Sequence, residues 1–339
     1  MSLGLAIAAG LSSVPANAVA INTVYVNQAI GTDASPCALA APCATLNFAL
    51  QTVAVGGSVN IIGPGIFGPI IITAAISISG NDPSNFVVIQ ASGDPAGCVN
   101  AAAGTCGTYN GFAVDLEAGT NDVVKIAHLG MATTGSGTGA LKVGSGNVIS
   151  LTNDIFRGNS TTSGPIVNIV PGGSGSTQIY MSNGDVAFNQ VGGAVLVAPT
   201  GTNNARLHFN HMEVHHAGYG IRTDASGLSS GNGVNTFVSE SEFFSFGGSA
   251  VTALSITGAG YVNSVYNQVN VLNTNGPAVN ANGPGSLVIL TNSTLGGNQT
   301  GVRSINNANV ISSVNNTIEG NGQNISTSAG GTFTPTPLQ

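Results

Sequence analysis

SLTNDIF at 150–156, YMSNGDV at 180–186, HFNHMEV at 208–214, FVSESEF at 237–243, SVYNQV at 264–269, ILTNSTL at 289–295 and SVNNTI at 313–318 are versions of one phrase. Each runs from an apolar residue through a small polar one to Asn or a substitute. An apolar residue then returns two or three places later. KIAHLGM at 125–131 is a degenerate earlier copy. The aligned column is His128, Asn153, Asn183, His211, Glu240, Asn267, Asn292 and Asn315, with spacings of 25, 30, 28, 29, 27, 25 and 23 residues. A second, weaker column places Gly before an apolar residue, as in GGAVLV at 192–197, GYGIRT at 218–223 and GPAVNA at 276–281.

A period of this length with short alternating segments is the mark of a solenoid. Alternation of apolar and polar residues reads as strands with one buried face. One such unit cannot bury that face alone, whereas stacked coils share a continuous core. Stacking also accounts for the Asn column, because amides one strand apart can bond in a ladder. Gly and Asn further tolerate the left-handed backbone of tight corners. A β-sandwich has short strands and turns but no reason for such a column. The fold expected is all-β, a right-handed parallel β-helix of about 9–11 coils with a short N-terminal capping helix. Its parts are a signal at 1–18, a first strand and helix at 19–60, the solenoid at 61–325 and an edge strand or tail at 326–339.

Composition excludes several other classes. The chain has 339 residues, with 49 Gly, 37 Asn, 6 Lys plus Arg and 13 Asp plus Glu. Charged residues are 6% of the total, and mean hydropathy is +0.31. Disorder needs low hydropathy and high net charge, and neither holds. Helical bundles need many charged helix formers. Nucleic-acid binding draws on cations that are scarce in a chain of net charge -7. No stretch of the mature chain is apolar enough to span a membrane as a helix.

The N-terminus reads as an export signal. LGLAIAAGLSSV at 3–14 is apolar, and Ala16-Asn17-Ala18 fits a small-x-small cleavage site, although the usual positive start is missing. The four cysteines agree with a secreted or outer cell-surface location. Three connectivities are open, and two local loops, Cys37–Cys43 and Cys98–Cys106, are the simplest. Neither pair has zinc-ligand spacing. Between them, residues 44–53 place Leu46, Phe48, Ala49, Leu50 and Val53 near one helical face. Thr45 is the expected N-cap, and Gly56-Gly57 ends the segment. Such a helix would cover the open edge of the first coil.

SPCALAAPCATLNFALQTVAVGGSVNIIGPGIFGPIIIT at 35–73, followed by the repeats, resembles the pectate-lyase-like β-helix superfamily. More closely it resembles secreted bacterial β-helix repeat proteins, in which a Cys-rich segment leads into a short helix, a Gly-Gly turn and the first coil. The resemblance spans nearly all of 22–339. It implies the fold and leaves activity open. Pectate lyases of that superfamily hold calcium with acidic residues beside a catalytic Arg, and polygalacturonases carry Asn-Thr-Asp, Asp-Asp and His-Gly motifs. None of these patterns occurs here, so no cofactor is expected and calcium has no motif behind it.

Charge is concentrated in RLHFNHMEVHHAGYGIRTD at 206–224, which holds four of the five His residues. By the repeat register, Asn183, His211 and Glu240 stack, and Asp185, Glu213 and Glu242 lie close together. Strand alternation places His211, Glu213 and His215 on one face, with His208 and Asn210 on the other unless a corner intervenes. A lyase acting on acidic polysaccharide would need a base, His211 or His215, and a neutralising cation, Arg206 or Arg222. A hydrolase would need a carboxylate pair, Glu213 with Glu240 or Glu242. A His/Glu metal site is a third use of such residues. The fourth is a solvated polar ladder. Glu240, Glu242, Asp185 and Tyr219 are the sugar-contact candidates. Residues 243–339 carry only Arg303 and Glu319, a surface suited to sugar contact, adhesion or packing against copies of itself. The leading expectation is a non-catalytic, adhesive or carbohydrate-binding β-helix whose partner is a polysaccharide or cell-surface glycan. The alternatives are a polysaccharide lyase or glycoside hydrolase, and a fibre built by end-to-end coil stacking.

Overall fold

A computed structural model describes residues 21–80, 87–91, 111–133, 137–159, 163–256 and 259–336. The signal-like segment 1–18 and the pair Cys98 and Cys106 lie outside the described residues. Within them are 26 strands and one helix, and every strand pairing is parallel. The strands form one continuous hydrogen-bonded array that is bent into three faces, a right-handed parallel β-helix. Parallel pairing extends on both sides of 61–325, from Thr23–Val26 to Thr332–Thr336.

The first face is the most regular. It passes from Thr23–Val26 to Ser58–Ile61, Ile76–Gly80, Val123–Ala127 and Val148–Thr152, and then through successive coils to Thr332–Thr336. Its register builds one inward column: Val24, Val59, Ile78, Ile126, Leu151, Met181, Phe209, Val238, Tyr266 and Leu290. All ten are buried. Each apolar side chain so placed contributes roughly 1.5–3 kcal/mol relative to exposure. The alternation seen in the sequence is the two-residue strand period applied to this column.

From Asn183 to Gly297, two corners per coil use the left-handed backbone, and the first of them extends back to His128. His128, Asn153, Asn183, His211, Glu240 and Asn292 have φ between 49° and 60°. In the coil between Glu240 and Asn292 the corner is Gln268 (φ 56°), not Asn267, because Ser239 pairs with Asn267 and Ser241 with Val269. The expected column is therefore off by one residue there. A second corner column, Phe188, His216, Ser245, Asn273 and Gly297, was not evident from the sequence. Its side chains share no chemistry, so only the backbone reveals it.

Cross-coil bonds add to the first column. Asn153 Nδ2 lies 3.0 Å from His128 Nε2, Asn292 donates to Asn267 Oδ1 at 3.0 Å, and Asn315 donates to Asn292. Backbone need and amide bonding make separable predictions at Asn153. Asn153→Val puts a β-branched residue at φ 56° and should lower stability by about 1–2 kcal/mol. Asn153→Gly should cost only a few tenths. Thermal melts of the pair check this, and equal losses would assign the position to its bond with His128 instead.

Small residues open the third face. Gly220 lies where a Cβ would sit 2.2 Å from the Ala250 carbonyl oxygen, so only hydrogen fits between these coils. This accounts for the weaker glycine column.

The helix, Leu46–Thr52, lies in the chain between the first two strands and buries Leu46, Ala49 and Leu50 in the core cluster that holds Val24 and Val26. Thr45 is its N-cap, accepting from the Phe48 N–H at 3.2 Å. Asp33 holds that cap by accepting from the backbone N–H groups of Ala44 and Thr45 and from the Thr45 hydroxyl. Phe48 is only partly buried. Cys37 and Cys43 are joined, with Cα atoms 4.9 Å apart.

Candidate functional site

Between Asn183 and Gly297 each coil crosses from its first corner to its second in five residues, as from His211 to His216. The last three of the four residues between, Glu213–His215 in that coil, form a narrow sheet, so only two side chains per coil face outward. In successive coils these are Ile155 and Arg157, Asp185 and Ala187, Glu213 and His215, Glu242 and Phe244, and Asn270 and Leu272. Neighbouring coils are about 4.8 Å apart. One outward column therefore reads Asp185, Glu213, Glu242, Asn270, and the other Arg157, Ala187, His215, Phe244, Leu272.

The sequence register holds for the carboxylates. Asp185, Glu213 and Glu242 are direct partners, and Asn183, His211 and Glu240 occupy equivalent corners between paired residues. The assignment of His211 to the same face as Glu213 and His215 does not hold. His211 is a corner residue (φ 50°), so alternation breaks there. His208 and Asn210 lie before the corner on the first face, and Glu213 and His215 lie beyond it. At the corner, His211 Nε2 meets Glu240 Oε2 at 2.6 Å, while its Nδ1 lies 2.6 Å from Asn210 Oδ1.

The two expected cations also move. Arg206 stands on the first face, in register with Gln178 and Asn235. Arg222 stands on the third face and donates to Asp224 at 2.9 Å. Tyr219 is beyond the second corner, where its ring covers Gly193 and burial pushes its hydroxyl pKa up. None of the three belongs to the narrow sheet. The cation that does is Arg157, which the sequence patch missed because it comes two coils earlier. Arg157 Nη2 contacts Asp185 Oδ2 at 2.5 Å, and its guanidinium lies 5.4 Å from the Phe188 ring centre.

His215 occupies the centre. Its Nε2 lies 3.2 Å from Asp185 Oδ1, an ion-pair contact rather than an aligned hydrogen bond, and 3.9 Å from Glu213 Oε1. Its Nδ1 is 2.6 Å from His216 Nδ1. Its ring stacks on Phe244 at 4.8 Å and meets Phe188 edge-on at 5.4 Å. Burial lowers its pKa, opposed by the charges of Asp185 and Glu213. His216 stacks on Phe188 at 5.6 Å. A separate ring stack, Tyr180–His208–Phe237, crosses the first face with centroids 4.7 and 5.1 Å apart. There burial, followed by the charge of Arg206, lowers the His208 pKa.

Among the described residues no three His, Cys, Asp or Glu side chains converge as metal ligands. The carboxylates extend along a column instead of pointing at one centre. No helix among the described residues is long and apolar enough to cross a membrane.

No family model matches this chain, and no curated protein sequence matches it. A solved structure of a GH136 lacto-N-biosidase from Eubacterium ramulus is similar over 94% of this chain and 68% of that one, at 12% identity and a TM-score of 0.48. A likeness of that degree says nothing about activity.

Proposed function

We propose that the protein is an exported β-helix whose narrow sheet binds a neutral glycan and leaves it chemically unchanged. The observation that carries this reading is the pair of outward columns: acceptors in Asp185, Glu213, Glu242 and Asn270, apolar surface in Phe244 and Leu272. A sugar presents the same two chemistries, hydroxyl donors on its rim and C–H groups on its face. Hydroxyls donating to a carboxylate make charge-assisted hydrogen bonds, and C–H faces pack on aromatic rings.

Charge supports a neutral ligand over a uronate. Arg157 is engaged by Asp185, and Arg206 and Arg222 stand on other faces. A uronate would meet Glu213 and Glu242, like charges on adjacent strands that already disfavour each other. Exposure supports binding over catalysis. Glu213 and His211 are 52% and 56% exposed, whereas acid–base sites gain their strength from excluding water. His211 is moreover held by Glu240. The Cys37–Cys43 disulfide supports an oxidising compartment, in keeping with an export signal at 1–18.

The test is affinity electrophoresis against neutral and acidic polysaccharides. Ultraviolet absorbance for unsaturated product and reducing-end release are followed alongside, with and without calcium. Retention on a neutral polymer without product is expected. Glu213→Gln with Glu242→Gln should weaken retention at least about tenfold, at roughly 1.5 kcal/mol or more per charge-assisted bond lost. Product from any polymer would overturn the non-catalytic reading, and retention on acidic polymers alone would overturn the neutral ligand.

A further inference from the structure

We infer that His215 and His216 form a proton-operated latch that sets the pH range over which the narrow sheet holds its glycan. This inference rests on the glycan-binding reading of that face and concerns its regulation.

The contact between the two Nδ1 atoms is 2.6 Å. Two ring nitrogens at that distance accommodate one proton, a donor on one side and a lone pair on the other. The charge of Asp185 biases the choice, although the contact is not an aligned hydrogen bond. Its Oδ1 stands 3.2 Å from His215 Nε2, and that negative charge favours the tautomer with the His215 proton on Nε2 and Nδ1 as the acceptor. His216 then donates from Nδ1 and keeps a bare Nε2. The charged groups around the pair are Arg157 on one side, Asp185 and Glu213 near His215 Nε2, and Glu242 in the column beside Phe244.

A first added proton fits without movement, because it goes to His216 Nε2 and the shared Nδ1 proton stays in place. A second has nowhere to go. It would set two N–H groups face to face between two cationic rings. His215 is the member held in place, stacked on Phe244 and within reach of two carboxylates. His216 is therefore the ring that departs. It sits at a corner with φ 51° and packs on Phe188, which is itself 50% exposed. With His216 gone, His215 loses its Nδ1 partner, and the ring column that flanks the carboxylates loses its fixed edge. His216 is thus a positioning residue for His215.

The test has two independent readouts on the full chain. The first is a histidine side-chain NMR titration from pH 8 to pH 4.5. The His215 ring signals should move in two separated steps, as those of coupled sites do. In His216→Asn, a residue suited to the left-handed corner, His215 should titrate in one step. Single-step titration of His215 in the unsubstituted protein overturns the latch. The second readout is retention on whichever neutral polysaccharide binds at pH 8. Retention should fall at least tenfold by pH 5, and His216→Asn should flatten that dependence. An unchanged pH profile in the variant overturns the regulatory role. Absence of binding to every polymer at every pH, with the two-step titration intact, would count against the glycan reading and leave the coupled pair standing.

Discussion

Asp154→Asn is expected to stabilise the protein at pH 8 by about 2–4 kcal/mol and to have little effect at pH 4. Asp154 is 1% exposed and points into the solenoid directly after the Asn153 corner. Its Oδ1 accepts the Leu129 N–H at 2.9 Å, and its Oδ2 is buried without a partner. Burial pushes the carboxyl up to about 7 from 3.8, against the two backbone bonds that favour ionisation. At about 1.4 kcal/mol for each pH unit between the folded and unfolded values, ionisation costs the fold at most about 4 kcal/mol. The sign follows from proton counts. Below about pH 4 both states carry the proton and nothing is lost. From there to about pH 7 the folded state keeps a proton that the unfolded state has released, so stability falls as pH rises. Above pH 7 the full cost is present. Other coils do the same job with neutral groups: Ser241 accepts from Met212 N–H, Ser293 from Val269 N–H, and Asn316 from Ser293 N–H. Asn at 154 keeps the acceptor and removes the charge. Denaturant midpoints of both proteins at pH 4 and pH 8 decide it, and an equal difference at the two pH values would show that Asp154 is not the titrating group.

Phe243→Ala should cost about 3–5 kcal/mol, the range for truncating a fully buried aromatic ring. Phe243 is inaccessible to solvent, with its ring centre 6.2 Å from that of Phe209 in the preceding coil and 6.5 Å from that of Phe246. In a solenoid each coil is held by its neighbours, so a cavity here weakens both coil interfaces at once. Hydrogen exchange should show the loss concentrated around residues 205–272 and faint near Leu46–Thr52. Uniform loss along the chain would indicate that the solenoid unfolds as one unit.

The fold was readable where a local constraint selects a residue type. The first corner needs a left-handed backbone, Asn satisfies that need cheaply, and the column from His128 to Asn292 therefore shows in the sequence. The Thr45 cap was readable for the same reason. The second corner has the same backbone need but is filled by Phe188, His216 and Ser245, held by packing and stacking, and no residue pattern marks it. The error at Asn267 arose because an Asn happens to stand beside the true corner, Gln268.

The candidate site was half legible. The stacking of Asp185, Glu213 and Glu242 follows from register alone. Which face Arg206, Arg222 and Tyr219 occupy depends on two corners, and period-two reasoning does not survive a corner. Arg157 was out of reach because proximity along the chain and proximity across coils are different distances. Residues 157 and 185 are far apart in sequence and in contact in space.

The five-residue step between corners has a broader consequence. It is the same from Asn183 to Phe188, His211 to His216, Glu240 to Ser245, Gln268 to Asn273 and Asn292 to Gly297, while the remainder of each coil varies in length. Length changes are absorbed elsewhere, so the narrow sheet is a lattice of fixed pitch in both directions. Each outward site on it is addressable by a single codon, and rewriting one leaves the pitch of the lattice unchanged. A lineage, or a designer, can retune what such a surface recognises by spelling out new letters on a grid that never has to be redrawn.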